Sequence, residues 1–228
     1  MEQTELECWL AAFREGLCGL FGDRLRFFGL QGSHARGEAT DASDLDVVVI
    51  LDRVRFADLE AYRRLLDRTE RREQICGFVA GLPELAGWER SDLLGLLLDT
   101  RPLLGSLEAL CPPLGREEAW AALRIGACNL YHACSHNYLH GRSAAVLAGL
   151  YKSARFAVRI KWYARTGDYI PAMRDLEAAV PEPDRGILRL CRALPPTAEP
   201  EFDRLCRALL EWSSAQLTGA EQPEGGAS

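Results

Sequence analysis

Residues 29–49 read Gly-Leu-Gln-Gly-Ser-His-Ala-Arg-Gly-Glu-Ala-Thr-Asp-Ala-Ser-Asp-Leu-Asp-Val-Val-Val, and no other stretch restricts the chain as much. An apolar run from Leu25 stops at Gly32-Ser33, as a strand stops in a tight turn. Asp44 and Asp46 follow, and then the apolar run Val47 to Leu51. Alternate residues of a strand share a face, so these two carboxylates point the same way. Like charges that close repel unless a cation lies between them. A turn that can bind phosphate, beside a carboxylate pair that can bind a divalent metal, is the equipment for phosphoryl or nucleotidyl transfer.

With 228 residues, the chain is long enough for one large domain or two small ones. No apolar run approaches the roughly 18 residues of a membrane span. The start, Met-Glu-Gln-Thr-Glu-Leu-Glu, lacks the basic and apolar parts of a signal peptide, so a cytoplasmic location is the expectation. None of the eight cysteines forms a CxxC pair, and they read as reduced core residues rather than a disulfide framework or zinc cluster. The formal net charge of −6 argues against a long nucleic acid as partner and suits a small or cationic one.

Leu6, Trp9, Leu10, Phe13, Leu17 and Leu20 recur at helical spacing, which predicts an amphipathic helix over 4–21. Strands are predicted at 24–31 and 45–51, a charged helix from Ala57 to Arg68 running towards Cys76, and a turn or short helix at 83–88. The apolar segment Asp92 to Leu98 reads as a third strand. Three prolines and two glycines mark 101–116 as a boundary. Beyond it the pattern is helical, over 117–140, 142–166, 171–180, 184–194 and 199–215. Gly141 and Gly167 mark helix ends; Pro181, Pro183, Pro195 and Pro196 mark later breaks. The fold class expected is α+β, a small mixed sheet with flanking helices, followed by an all-α bundle. The divisions are 1–105, a linker at 106–116, a helical part at 117–217 and a disordered tail at 218–228.

The series Gly32-Ser33-x-Ala35-Arg36-Gly37, then Ser43-Asp44-x-Asp46, resembles the signature of the polymerase-beta-type nucleotidyltransferase superfamily. The two-part layout is similar to the small stand-alone transferases of the kanamycin and lincosamide nucleotidyltransferase type. The motif covers part of residues 29–49, the layout nearly the whole chain. The resemblance implies that Gly32 lets the backbone approach a phosphate and that Ser33 offers a hydroxyl and an amide. It implies further that Arg36 neutralises triphosphate charge, that Ser43 belongs to the nucleotide site, and that Asp44 and Asp46 hold one or two Mg²⁺ ions. The family usually places a third carboxylate on a later strand. Asp92 is the first choice for it and for the third metal ligand, and Asp99 the second. Aligning Leu98-Asp99-Thr100 with the antibiotic-modifying enzymes puts Gly95 at the expected position. A third ligand absent, or supplied from elsewhere, stays open.

His132, His136 and His140 follow one another at i, i+4, i+8, opposite a stripe of Leu123, Ala127, Leu130, Cys134 and Tyr138. They are exposed or line a cleft, and a zinc site is open to them, although the expectation is that no carboxylate or cysteine on that face completes it. His34 lies near the nucleotide by position. Lys152, Arg155 and Arg159 form a basic stripe, with Lys152 the choice for the triphosphate; Tyr151 either stacks on a base or packs in the core. The helical half faintly resembles the HEPN class. Arg124 and His132 have seven residues between them, outside the spacing of the HEPN ribonucleases, so that activity is not carried over.

The resemblance thus implies a Mg²⁺-dependent transferase that moves a nucleoside monophosphate from an NTP, such as ATP, to a hydroxyl of a small molecule and releases pyrophosphate. An aminoglycoside-like antibiotic is one candidate acceptor. The alternatives are AMP transfer to a protein hydroxyl, as in transferase antitoxins, and a non-catalytic nucleotide-binding module. The partners expected are the NTP and a small-molecule acceptor, with no long nucleic acid and no membrane, and the protein is expected as monomer or homodimer.

Overall fold

The computed structural model describes residues 2–41, 43–192 and 199–219. The breaks expected at Pro195 and Pro196, and the tail from residue 220 onward, lie outside the described residues. The chain divides into two compact units, Met1–Leu114 and Gly115–Ser228. Among the described residues no helix is long and apolar enough to cross a membrane.

The first unit is a mixed four-stranded sheet between two helical layers. Its elements are α1 (Gln3–Phe21), β1 (Leu25–Gln31), the one-turn α2 (Gly32–Ala35), β2 (Leu45–Leu51), α3 (Phe56–Leu66), β3 (Ile75–Gly81), α4 (Leu82–Ala86), α5 (Arg90–Leu98) and β4 (Thr100–Leu104). The strand order is β3-β2-β1-β4, with β1 antiparallel to both β2 and β4 and β2 parallel to β3. The central strands are buried on both faces and therefore read as unbroken apolar runs. Leu45, Val47, Val49 and Leu51 share one core with Phe28, Leu30 and the α1 stripe Leu6, Trp9, Leu10, Phe13 and Leu17. Val48 and Ile50 share the other with Phe27, Ala80, Leu85, Leu93, Leu96 and Leu107. Asp46 belongs by alternation to this second face.

Three expectations are corrected here. Residues 92–98 form helix α5, not a strand. The segment Ser-Asp-Leu-Leu-Gly-Leu-Leu-Leu has no β-branched residue, Asp92 lies in the first helical turn, and the Glu89 carboxylate accepts from the Ser91 amide at 3.4 Å. The later strands are instead β3, which holds the β-branched Ile75 and Val79, and β4. The stretch expected as a linker packs against the sheet: Leu107 is buried, and Leu110, Cys111 and Leu114 lie against the same core. The eight cysteines are all free, but only Cys134 and Cys206 are buried; Cys8, Cys18, Cys76 and Cys128 are exposed.

The second unit holds α6 (Arg116–His136), a π-helical turn (Asn137–Gly141), α7 (Ala144–Thr166), α8 (Met173–Ala179), α9 (Asp184–Arg192) and α10 (Glu199–Thr218). Leu123, Ala127, Leu130 and Cys134 are buried as their spacing predicts. Tyr138, expected in the same stripe, is exposed, because the wider π turn rotates it off that face. Along α7, Leu147, Tyr151, Ala154, Val158 and Ile160 are buried. Gly167, in left-handed conformation at φ 83°, ends the helix by donating its amide to the Tyr163 carbonyl at 2.8 Å.

Candidate active site

Gln31, the last residue of β1, pairs with Asp46 on one side and Thr100 on the other, and Asp46 pairs with Cys76. Residues paired across a sheet share a face, so Thr100, Gln31, Asp46 and Cys76 stand abreast at one end of it. The chain leaves this row through Gly32, whose φ of 75° is ordinary only for glycine. A Cβ at Gly32 would stand 2.2 Å from Asp46 Oδ2. The turn that ends β1 therefore lies directly against the carboxylate at the start of β2, and only a residue without a side chain permits that approach. Asp44 lies just before β2 and is exposed; Asp46 is half-buried.

The loop between α2 and β2 is shaped by its own hydrogen bonds. The Arg36 amide donates to the Gly32 carbonyl at 3.1 Å, and the Glu38 amide to the Ser33 carbonyl at 2.9 Å. Ser43 accepts from the Thr40 amide through Oγ at 2.9 Å and donates its own amide to the Thr40 carbonyl at 3.0 Å, forming the bend that delivers Asp44. Gln74 Nε2 donates to the Asp41 carbonyl at 3.3 Å and ties the loop to the start of β3. His34 is half-buried, and burial is the main cause that lowers its pKa below the ordinary imidazole value.

Arg36 does not carry its charge towards solvent. Its Nη1 donates to Asp99 and its Nε to Glu38 at 3.1 Å, and the Arg36 and Asp99 side chains are 9% and 6% exposed. Burial alone would lower its pKa, but the two carboxylates outweigh that and hold it above its ordinary value. The structure gives Arg36 a task besides the one expected of it toward triphosphate: it clamps the motif loop to the α5–β4 junction. Removing Asp99 takes away one of the two carboxylates that hold the buried guanidinium and leaves Glu38 alone to hold it. Asp99→Ala is expected to destabilise the protein by about 3 kcal/mol in urea unfolding, whereas Asp92→Ala should change it by less than about 0.5 kcal/mol.

The first choice for a third carboxylate is corrected. Asp92 lies on the exposed side of α5 and accepts from the Trp88 indole at 2.6 Å. Gly95 is also on that helix, so it marks no strand position. Asp99, the second choice, is the C-cap of α5 and the partner of Arg36. The residue that faces Asp46 across β2 and β3 is Cys76, an exposed thiol. Among the described residues, no three His, Cys, Asp or Glu side chains converge as a ready-made metal site. The donor set that remains, Asp44 and Asp46, fits Mg²⁺, which is usually held by one or two carboxylates, with water and substrate phosphates completing its shell.

In the second unit the basic stripe is broken. Arg159 is buried and donates to the carbonyls of Ile170 and Pro171 at 3.0 and 2.7 Å. Tyr151 is fully buried and donates its hydroxyl to the Leu205 carbonyl at 2.9 Å; it is a core residue, not a stacking platform. Lys152 is exposed, beside a groove of about 520 Å³ floored by Gly126, Ala133 and Ala157. His132, His136 and His140 are all exposed.

Comparison with known proteins agrees with this geometry. Residues 10–86 match the family of the nucleotidyltransferase domain, which makes the chain a transferase of the nucleotidyl-transferring class. Among solved structures, the chain is similar to spectinomycin adenyltransferase AAD(9) from Enterococcus faecialis, crystallised with ATP and spectinomycin. That likeness has a TM-score of 0.60 at 15% identity and covers 92% of this chain and 98% of the other, and it is a likeness of fold. A search of curated protein sequences gives no significant match.

Proposed function

We propose that the protein transfers a nucleoside monophosphate from an NTP to a hydroxyl of a small molecule and releases pyrophosphate. The observation that carries this reading is the contact of the Gly32 turn with the Asp46 carboxylate. It sets a backbone turn suited to a phosphate directly against a carboxylate suited to a metal ion, and transfer at phosphorus needs both kinds of group. Ser33 offers its hydroxyl and amide to a phosphate oxygen, and the Arg36–Asp99 clamp holds the loop that presents them. Asp44 and Asp46 would hold Mg²⁺, which when bound neutralises charge at the α-phosphate and the departing pyrophosphate. ATP as donor and an aminocyclitol or aminoglycoside acceptor are supported by the likeness to the spectinomycin enzyme and by a net charge of −6, which favours a cationic acceptor. Pyrophosphate release over a panel of such acceptors tests the reading; Asp46→Asn should abolish it.

Cys76 favours a second reading, a module that binds nucleotide with little turnover. A thiol beside Asp46 offers Mg²⁺ no oxygen ligand where a carboxylate would. The two readings differ in one measurement. If the protein is an enzyme, Cys76→Asp is expected to raise an already measurable rate by about tenfold or more; if it is a module, the substitution should create turnover where the parent shows none. Thiol labelling gives an independent check. Cys76 should react in the native protein and be slowed by MgATP. Cys134, whose pKa burial first and then Cys206 push up to about 12, should stay unlabelled.

A further inference from the structure

The histidines of the second unit form a feature that nucleotidyl transfer does not use. Cys128, His132, His136 and His140 succeed one another every four residues, and all four are exposed. Cys128 corrects the expectation that this face lacks a cysteine. The separations along the series are unequal: the ring centroids of His132 and His136 are 6.4 Å apart, those of His136 and His140 4.9 Å. A metal–nitrogen bond of about 2.1 Å plus about 1.1 Å from nitrogen to ring centre puts each centroid about 3.2 Å from a shared ion. Two such legs meeting at 90–109° span about 4.5–5.2 Å. The His136–His140 pair falls inside that span, and the His132–His136 pair falls outside it.

The second observation concerns the backbone that carries His140. The π-helical turn Asn137–Gly141 is fixed from within by Asn137, which is 3% exposed. Its carboxamide donates to the Ser143 carbonyl at 3.0 Å and accepts from the Ser143 amide at 2.9 Å, and its own carbonyl accepts from the Arg142 amide at 2.6 Å. The nearby cation, Arg142, is drawn to Asp203 at 2.9 Å and lies over the rings of Tyr138 and Phe202. A buried side chain thus holds the turn in the geometry that brings the two imidazoles together before any ligand arrives.

We propose that His136 and His140 form a chelating site for a late first-row divalent cation such as Ni²⁺, Cu²⁺ or Zn²⁺, with water completing the shell. Imidazole pairs at i, i+4 suit these ions, and they do not suit Mg²⁺, which prefers oxygen. The site differs in chemistry from the Asp44–Asp46 pair, and its occupancy ties the π turn to α6.

The test is calorimetric titration of tag-free, full-length protein with NiCl₂, in a Cys128→Ser background to remove the adjacent thiol. The expected result is a nickel site weakened at least about tenfold by His136→Ala and by His140→Ala. His132→Ala should leave its affinity within about threefold, and excess MgCl₂ should not compete. Nickel should also raise the melting temperature of the parent but not of the His140→Ala variant. The proposal is overturned if affinity survives both substitutions, if His132→Ala weakens it equally, or if nothing binds more tightly than about 1 mM.

Discussion

Gly32→Ala is expected to lower nucleotidyl transfer by at least about a hundredfold while leaving the fold intact. The new methyl carbon would lie 2.2 Å from Asp46 Oδ2, well inside van der Waals contact, so either the carboxylate or the turn must move. Either movement would separate the backbone turn proposed for phosphate from the carboxylate proposed for the metal, and a misplacement of about 1 Å can cost about a hundredfold in rate. Backbone strain adds about 1–2 kcal/mol, since alanine tolerates a φ of 75° poorly. Gly37→Ala is the matched control. Gly37 has a similar φ of 69°, but nothing lies within 4 Å of its Cβ position. It should therefore show the strain, as a lower urea midpoint, without the loss of rate. Similar rate losses in the two variants would mean that left-handed strain, not the contact with Asp46, governs the site.

Asp184→Ala is expected to destabilise the helical unit by about 3–5 kcal/mol. Asp184 begins α9 and is 3% exposed; its Oδ1 accepts from Lys161 Nζ at 2.9 Å and from Trp212 Nε1 at 2.8 Å. One carboxylate thus joins α7, α9 and α10. Its removal leaves an ammonium that is 2% exposed and a buried indole donor, neither with that partner. Most domains have only about 5–15 kcal/mol of stability to lose, so the transition should move to markedly lower urea. The double variant Lys161→Met/Asp184→Leu should recover more than half of the loss, because two apolar side chains carry no stranded charge. If the double variant is no better than Asp184→Ala alone, the deficit lies in packing and not in the loss of the Lys161–Asp184 ion pair.

What could be read in the sequence follows the distance over which each feature is determined. Gly32, Ser33, Asp44 and Asp46 lie within fifteen residues of one another, on a strand end, a turn and a strand start, and local pattern was enough to group them. Cys76 becomes part of the row only through the parallel register of β2 and β3, which alternation within β2 cannot give. Arg36 shows its family spacing in the sequence, but its engagement with Asp99 depends on where α5 ends. The strand reading of 92–98 failed because a short apolar run has no period of its own; the absence of any β-branched residue was the available signal. Tyr151 was legible in part. Leu147, Tyr151, Ala154 and Val158 recur at spacings of four, three and four, which is a core stripe, and the stripe outweighs the adjacent lysine.

The most direct test of the account follows the label from ATP. With Mg²⁺ and an aminocyclitol or aminoglycoside acceptor, the protein should move the α-phosphate of [α-³²P]ATP to the acceptor and release pyrophosphate. No γ-label should be transferred, and the reaction should disappear in Asp46→Asn. Transfer of the γ-phosphate instead, or α-label transfer that proceeds undiminished in Asp46→Asn, would contradict the site assigned to the Gly32 turn and the aspartate pair.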